Sequence, residues 1–138
     1  MLSDSIEVIE QQIPTGTERI LLVDDDEMLA RLADRMLSDL GYQVTTVTSS
    51  VEALKLFSAN ADAFDLVLTD QTMPDLLGSD LLQEMIKIKP DLPCILCTGY
   101  SSKISAEESE KLSISAFLMK PFEQADLART IRTALDNN

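Results

Sequence analysis

The sequence predicts an α/β domain built on one parallel sheet of five strands, with helices on both faces. Short apolar runs, typical of strands buried on both sides, alternate with stretches whose apolar residues recur at helical spacing. This alternation occurs five times, and the right-handed crossovers that join parallel strands restrict the possible strand orders. We predict a doubly wound sheet with the order 2-1-3-4-5.

The individual elements follow from apolar periodicity and from turn and capping residues. Strands are predicted at 20–23, 43–47, 64–70, 93–98 and 114–119. Helices are predicted at 27–40, 51–59, 79–88 and 123–135, with a weaker one at 105–112. Gly41 should end the first helix, and Ser49 or Ser50 should cap the second.

The length of 138 residues suggests one domain with a sizeable core. Residues 1–18 are predicted to be a linker or N-terminal tail, because Pro14-Thr-Gly-Thr17 has turn chemistry and separates them from the first strand. The domain itself is predicted to occupy 19–138.

Composition excludes several classes of partner. The chain has 11 Lys and Arg against 24 Asp and Glu, a net charge of −13. Such acidity argues against sequence-independent binding to nucleic acid and against an anionic membrane surface. The chain contains no apolar run near the roughly 20 residues of a membrane span, and Met1-Leu-Ser-Asp4 does not begin a signal peptide. A cytoplasmic location is therefore expected.

Cys94 and Cys97 form a C-x-x-C pattern inside a predicted strand. Side chains alternate between the faces of a strand, so residues three apart point in opposite directions. We therefore interpret both cysteines as small buried residues rather than as a metal or redox pair.

Three carboxylates are predicted to meet at one edge of the sheet. Asp70 ends the third strand before Pro74, and Asp24 and Asp25 end the first. The carboxyl ends of neighbouring parallel strands meet at the same edge, so these acids should converge and require a cation. Oxygen ligands alone suit magnesium. Asp26, by contrast, is explained by the negative charge that a helix start favours.

Two further polar residues end strands at the same edge. Thr98 ends the fourth strand and Lys120 the fifth, and nearly all other strand positions are apolar. This concentration of polar groups predicts a functional site.

The residues at these strand ends resemble the signature blocks of two-component response-regulator receiver domains. The blocks are Val23-Asp-Asp25, Thr69-Asp-Gln-Thr-Met-Pro74, Cys97-Thr-Gly99 and Met119-Lys-Pro-Phe122. The resemblance runs from about 19 to 135 and implies a flavodoxin-like fold. It also implies that Asp70 accepts a phosphoryl group from a histidine of a kinase or a phosphotransfer domain. Asp25 would then bind magnesium directly, Asp24 through water, and Thr72 through its backbone carbonyl.

The resemblance also implies how a phosphoryl group would be held. Lys120 would pair with Asp70 and then with a phosphoryl oxygen, and Thr98 would hydrogen-bond another. A phosphoryl group has three acceptor oxygens, and the backbone N–H of Gln71 is a further predicted donor. Phe117 occupies the position of the aromatic residue that follows Thr98 during switching. It lacks a hydroxyl, so its switching would be steric.

One rival reading is an enzyme. Asp24-x-Asp26 resembles the opening of haloacid-dehalogenase-type phosphatases, with Asp24 as nucleophile and Asp26 as acid/base. That reading needs a cap insertion or a later acidic pair, and it leaves Asp70 only a metal-binding role. We therefore predict a signalling domain whose only chemistry is its own phosphorylation and dephosphorylation.

The sequence says less about the protein from which this domain comes and about its partners than about its fold and site. The segment from Ile6 to Arg19 resembles the connector before the C-terminal receiver of a hybrid sensor histidine kinase, and this origin is favoured over a stand-alone regulator. Partners are expected to dock near Asp26, Glu27 and Met28, or on the face formed by helix 105–112, the fifth strand and the last helix. A phosphorylation-dependent homodimer on that face is a further expectation.

Overall fold

The computed structural model describes residues 13–99 and 113–136 and contains the predicted parallel sheet. Its strands are β1 (Arg19–Val23), β2 (Gln43–Val47), β3 (Leu66–Asp70), β4 (Cys94–Thr98) and β5 (Ala116–Met119). Every neighbouring pair is parallel, and the order is β2-β1-β3-β4-β5. The predicted fold class and strand order are confirmed.

Four helices of the described residues cover the two faces of this sheet. They are α1 (Glu27–Asp39), α2 (Ser50–Ala59), α3 (Gly78–Ile88) and α4 (Gln124–Asp136), and a 3₁₀ turn follows α2 at Ala61–Ala63. The weaker predicted helix at 105–112 lies outside the described residues. None of the helices that the structure describes has the length and apolarity needed to cross a bilayer.

The strands in the middle of the sheet separate two apolar cores. Ile20 and Leu22 of β1 pack with residues of α1 and α4, whereas Leu21 and Val23 pack with residues of α2 and α3. Side chains alternate along each strand, so a strand covered on both faces must be apolar throughout. This is why β1, β3 and β4 appear in the sequence as unbroken apolar runs.

The helix ends are fixed largely as predicted. Ser49 caps α2 by accepting the N–H of Glu52, and the helix begins at Ser50. Gly41 has φ of 102° directly after the C-cap Leu40 of α1. The N–H groups of Gly41 and Tyr42 donate to carbonyls of the last turn of α1, which is a Schellman motif.

β5 begins two residues later than predicted. Before the strand starts, Ser115 exchanges hydrogen bonds with Cys94, one of them through its side-chain hydroxyl. The regular ladder with β4 begins only at Ala116, opposite Ile95.

Residues 13–18, within the segment predicted to be a linker, lie against the domain. Gly16 donates its N–H to the Leu40 carbonyl, and the Glu18 carbonyl accepts the N–H of Gln43. The Glu18 carboxylate also binds Arg132 of α4 at 2.9 Å. A Cβ on Gly41 would lie 2.4 Å from the Gly16 carbonyl oxygen, so this close approach requires a glycine. The part of the linker that the structure describes is therefore attached to the domain.

Cys94 and Cys97 face opposite sides of the sheet, as the strand periodicity predicts. Cys94 belongs to the core under α2 and α3, and Cys97 to the core under α1 and α4. Both are free thiols, and burial raises the pKa of Cys97 to about 12. The interpretation as buried small residues holds.

Candidate functional site

Asp24, Asp25 and Asp70 converge at the carboxyl edge of the sheet. One carboxylate oxygen from each lies within 4.8 Å of the other two. Asp70 is the last residue of β3, and its position is set by the ladder, which pairs it with Cys97 of β4. Asp24 directly follows β1 and is only 5% exposed. The positions of these acids therefore follow from the sheet register.

Lys120 bridges two of these acids. Its Nζ lies 3.0 Å from a carboxylate oxygen of Asp70 and 3.1 Å from one of Asp24. The Lys120 N–H donates to the Thr98 carbonyl at 2.8 Å, and the Lys120–Pro121 peptide bond is cis. The other oxygen of Asp24 accepts the N–H of Asp26. The lysine is thus fixed both by its backbone and by its ammonium group.

The site carries more negative charge than Lys120 can balance. Burial, together with the charges of Asp24 and Asp25, raises the pKa of Asp70, although Lys120 opposes this. Burial disfavours the Lys120 ammonium, but its hydrogen bonds and charge interactions with Asp70 and Asp24 outweigh this and raise its pKa. Three carboxylates and one ammonium leave a formal charge of −2.

The donor set fits a divalent cation. All three groups are hard oxygen donors, and their separation allows one ion to contact them together. A dipositive ion would cancel the remaining formal charge. These residues therefore fit magnesium by charge, donor type and spacing, which is the cation that the sequence predicts.

Thr98 and Phe117 share one face of the sheet. Thr98 is the last residue of β4 and is 8% exposed. Phe117 pairs with Leu96, which precedes Thr98 by two residues and therefore points to the same side. Phe117 is 37% exposed. The predicted switch pair therefore lies on one face of neighbouring strands, and its aromatic member is partly in solvent.

Gln71, the predicted backbone donor to a phosphoryl group, makes its hydrogen bonds to β4 and α3 in this structure. Its backbone N–H donates to the Cys97 carbonyl at 2.9 Å, continuing the β3–β4 ladder by one residue. Its side-chain amide is directed at Ser79 of α3. The backbone N–H of Gln71 is thus engaged in the ladder, and its role as a phosphoryl donor stays a prediction. Thr72, the predicted carbonyl ligand, follows outside the ladder with an exposed side chain.

Asp26 is separated from the acid cluster by its role at the start of α1. Its carboxylate accepts the N–H groups of Met28 and Leu29 and caps the helix. Asp26 is thus the N-cap, rather than a first-turn residue. The acid that joins Asp24 and Asp25 is Asp70, which is not the arrangement that the phosphatase reading requires.

An apolar groove beside the site was missed at the level of sequence. Its cavity of about 320 Å³ is lined by Asp24, Asp70 and Lys120 and, on its apolar side, by Leu29, Leu32, Ala33, Met36, Leu68 and Phe122. Leu29 and Leu32 recur at helical spacing with the other apolar residues of α1, yet Leu32 is 53% exposed. The buried stripe is Ala30, Ala33 and Leu37. The sequence did contain a signal of this groove, because the apolar residues of α1 cover a wider part of the helix surface than contact with one core requires.

Known proteins share both the fold and the motifs of this chain. A family model described as the response regulator receiver domain matches residues 20–132. A solved receiver domain protein from Clostridium thermocellum superposes with a TM-score of 0.82 at 33% identity, covering 87% of this chain and 95% of that one. A CheY-like receiver domain protein from Methanospirillum hungatei gives a TM-score of 0.75 at 32% identity, covering 88% of this chain and 96% of that one.

Curated relatives are longer proteins of two kinds. Two-component response regulator ARR10 of Arabidopsis thaliana is 35% identical over 91% of this chain and 22% of its own length. Sensor kinase CckA of Brucella abortus is 33% identical over 88% of this chain and 13% of its own length. The chain thus spans less than a quarter of either relative. Since the family model covers the sheet and every strand-end residue of the site, the chain belongs to the response regulator receiver domain family of two-component systems.

Proposed function

We propose that this receiver domain accepts a phosphoryl group on Asp70 from a phosphohistidine of a histidine kinase or a histidine phosphotransfer domain. The observation that carries the proposal is that the carboxylates of Asp24, Asp25 and Asp70 lie close together, with the ammonium of Lys120 bound to Asp70. It combines an anionic nucleophile, a cation site and a fixed positive charge at one sheet edge. Phosphoryl transfer needs these elements, because it depends mainly on positioning and charge stabilisation.

Asp24, Asp25, Asp70 and the Thr72 carbonyl would hold magnesium in this proposal. When bound, the ion neutralises charge on the phosphoryl oxygens. In the transfer, an Asp70 oxygen forms a bond to phosphorus as the bond from phosphorus to the histidine nitrogen breaks, and that nitrogen keeps the electron pair. The raised pKa of Asp70 describes the metal-free protein, and a cation at the site favours the carboxylate needed for attack.

Lys120 supports both the free and the phosphorylated state. Its ammonium contacts Asp24 and Asp70 at once. After transfer it keeps Asp24 as a partner and donates to a phosphoryl oxygen in place of Asp70. Thr98 supplies a second donor. Movement of Thr98 toward the phosphoryl group frees space on the face that it shares with Phe117, which allows the exposed ring to turn inward.

The apolar groove on α1 is the proposed docking site for the histidine-bearing partner. It opens beside Asp70 and continues onto Met28, Leu29 and Leu32, which are all exposed. A helix with an apolar face would cover these side chains and bring its histidine to the acid edge. The face around Phe117 and Met119 of β5, also exposed, is the proposed surface for a phosphorylation-dependent homodimer.

The domain boundary at residue 19 and the hybrid-kinase origin stay predictions. The relatives include both a sensor kinase and response regulators, and this chain matches only part of each. The proposal therefore concerns the receiver domain alone.

The proposal is tested by exposing the chain to a small phosphodonor with magnesium and mapping the modified residue by mass spectrometry. We expect one added phosphoryl group, on Asp70, and no addition in Asp70→Asn or in the presence of a chelator. Asp65→Asn is the matched control, because Asp65 directly precedes the same strand at its other end and pairs with Arg19. Labelling of Asp70→Asn as extensive as that of the wild type would overturn the assignment.

Two further measurements separate the proposal from its alternatives. Turnover of a small phosphate ester that Asp24→Asn abolishes and Asp70→Asn retains would favour the phosphatase reading. Docking is tested with Leu32→Asp, which should slow transfer from a phosphorylated histidine protein by about tenfold or more, roughly the effect of losing one interface anchor. The same variant should leave labelling by the small phosphodonor unchanged.

A further inference from the structure

We infer that Gln71 and Ser79 form a positioning pair that fixes the backbone of Thr72 at the metal site. The inference rests on the proposed function, since it concerns the carbonyl that would complete the ligand set. Gln71 directly follows Asp70, but its side chain bonds to Ser79 of α3. The two residues act on the short segment that leaves β3 after Asp70 and reaches α3.

Gln71 is held by four hydrogen bonds. Its N–H donates to the Cys97 carbonyl at 2.9 Å, and its carbonyl accepts the N–H of Gly78 at 2.9 Å. Its Oε1 accepts the Ser79 N–H at 2.7 Å, and its Nε2 donates to the Ser79 hydroxyl at 3.0 Å. Gln71 and Ser79 are both buried, so these bonds are shielded from water and costly to lose.

The same residue supplies the missing cap of α3. The N-cap position is Leu77, which has no side chain able to accept a hydrogen bond. The first N–H groups of a helix lack intrahelical partners, and here the backbone and side chain of Gln71 satisfy two of them. The beginning of α3 is therefore bound to the residue that follows the phosphoacceptor.

The protein also brings α3 unusually close to Asp70. A Cβ on Gly78 would lie 2.1 Å from the Asp70 carbonyl oxygen. A glycine is thus required where the helix begins. This contact and the Gln71 bonds hold the two ends of the intervening loop together.

Among the proposed ligands, Thr72 depends most on this pair. Asp70 belongs to β3, and Asp24 directly follows β1, so the sheet positions both. Thr72 lies beyond the ladder, between Gln71 and the core side chain of Met73. The polar anchor on its N-terminal side is Gln71. Loss of the pair should therefore weaken the cation site more than it alters the reactivity of Asp70.

The experiment compares the wild type with Gln71→Met, which keeps a side chain of similar length and removes both side-chain hydrogen bonds. Magnesium affinity is measured by calorimetry, and the labelling rate by a small phosphodonor is followed as magnesium is increased. We expect the dissociation constant for magnesium to rise about tenfold. This is the smaller of the effects that typically follow when a metal ligand loses the residue that positions it. The labelling rate at saturating magnesium should stay within about twofold, because the sheet still holds Asp70.

Three variants test the pair itself. Ser79→Ala removes the hydroxyl and keeps the Ser79 N–H bond, so it should weaken magnesium binding less than Gln71→Met does. Ser79→Thr keeps a hydroxyl and should restore most of the affinity. Ile131→Val, a core change in α4 remote from the loop, is the control for general destabilisation and should bind magnesium as the wild type does.

Hydrogen exchange in the metal-free protein gives a readout independent of activity. In each variant, the exchange rate of the Ser79 amide is expressed relative to that of the slowest-exchanging sheet amides. This relative rate should be higher in Gln71→Met than in Ile131→Val. If Gln71→Met does not fold, the Ser79 variants decide the question alone. Equal magnesium affinity in the wild type, Gln71→Met and Ser79→Ala would overturn the inference. Failure of the wild type to bind magnesium would instead overturn the proposed function.

Discussion

Replacing Asp70 with asparagine should stabilise the metal-free protein at neutral pH. The reasons are the burial of this carboxylate and the crowding of negative charge at the site. The pKa of Asp70 is raised by burial and by the charges of Asp24 and Asp25. A raised carboxyl pKa means that the fold binds the proton more tightly than the unfolded chain does, so ionisation at pH 7 costs stability.

The distances give the magnitude. At 4.8 Å, the largest separation within the cluster, two unit charges repel by about 3.5 kcal/mol at an effective dielectric constant of about 20. Asp70 experiences this repulsion from both Asp24 and Asp25. The attraction of Lys120 at 3.0 Å is about 5.5 kcal/mol on the same scale. The two repulsions exceed the attraction, and burial adds to the difference. We expect Asp70→Asn to raise the free energy of unfolding by about 1 to 2 kcal/mol.

Urea unfolding at pH 7 in a chelator measures this difference. The matched control Asp65→Asn should have the opposite effect, because the Arg19 side chain and N–H hold the pKa of the Asp65 carboxyl below its usual range. The advantage of Asp70→Asn should shrink as the pH falls through the pKa of Asp70, because the wild-type carboxyl is then protonated as well. With magnesium the order should reverse, since binding to the folded state stabilises the wild type more.

One result would refute this electrostatic account of the site. If Asp70→Asn in a chelator is no more stable than the wild type at pH 7, the carboxylates do not repel as their separation requires. The ion pairs with Lys120 would then dominate, and the need for a second cation would lose its physical basis.

Three further changes test the remainder of the structure. Glu18→Gln should lower the free energy of unfolding by up to about 1 kcal/mol at pH 7. The pKa of Glu18 is lowered mainly by its hydrogen bond to Arg132, so this loss should disappear as the pH falls through that pKa, measured by urea unfolding at several pH values. Gly41→Ala should cost about 1 to 3 kcal/mol in the same assay, because its φ of 102° and the Gly16 carbonyl oppose a side chain. Phe57→Ala, which removes a fully buried ring stacked on Phe64, should cost about 3 to 5 kcal/mol in thermal and urea unfolding.

The fold was predictable because its signals are local and repeated. Each interior strand is an apolar run, and each helix has a periodic stripe, so element type and order follow from short windows. The acid edge followed from the same register, since residues that end parallel strands must meet. Asp24, Asp70 and Lys120 needed no knowledge of side-chain contacts to be placed together.

The groove on α1 shows where periodicity fails. Leu29 and Leu32 fit the helical spacing of apolar residues as well as Ala30 and Ala33 do. The two leucines are nevertheless exposed, whereas the two alanines are buried. Which flank is covered depends on how closely α4 and the segment after β5 approach α1. That spacing is a tertiary property, and no window of the sequence contains it.

The attachment of residues 13–18 was hidden for a related reason. Turn residues such as Pro14 and Gly16 occur both in free linkers and in segments that pack against a domain, so composition does not distinguish the two. The contact that distinguishes them joins Glu18 to Arg132, which is 114 positions away in the chain. Only the fold brings these two charges together.

The capping role of Gln71 was missed, although the sequence did contain a sign of it. A helix that begins after Leu77 has no capping side chain in the usual position, yet buried N–H groups at a helix start must find acceptors. An acceptor was therefore required from elsewhere, and Gln71 supplies two, its backbone carbonyl and its side-chain amide oxygen. The loop around the phosphoacceptor is thus determined by the needs of α3 as well as by the chemistry at Asp70. A change at the start of this helix should therefore alter cation binding while leaving the sheet intact.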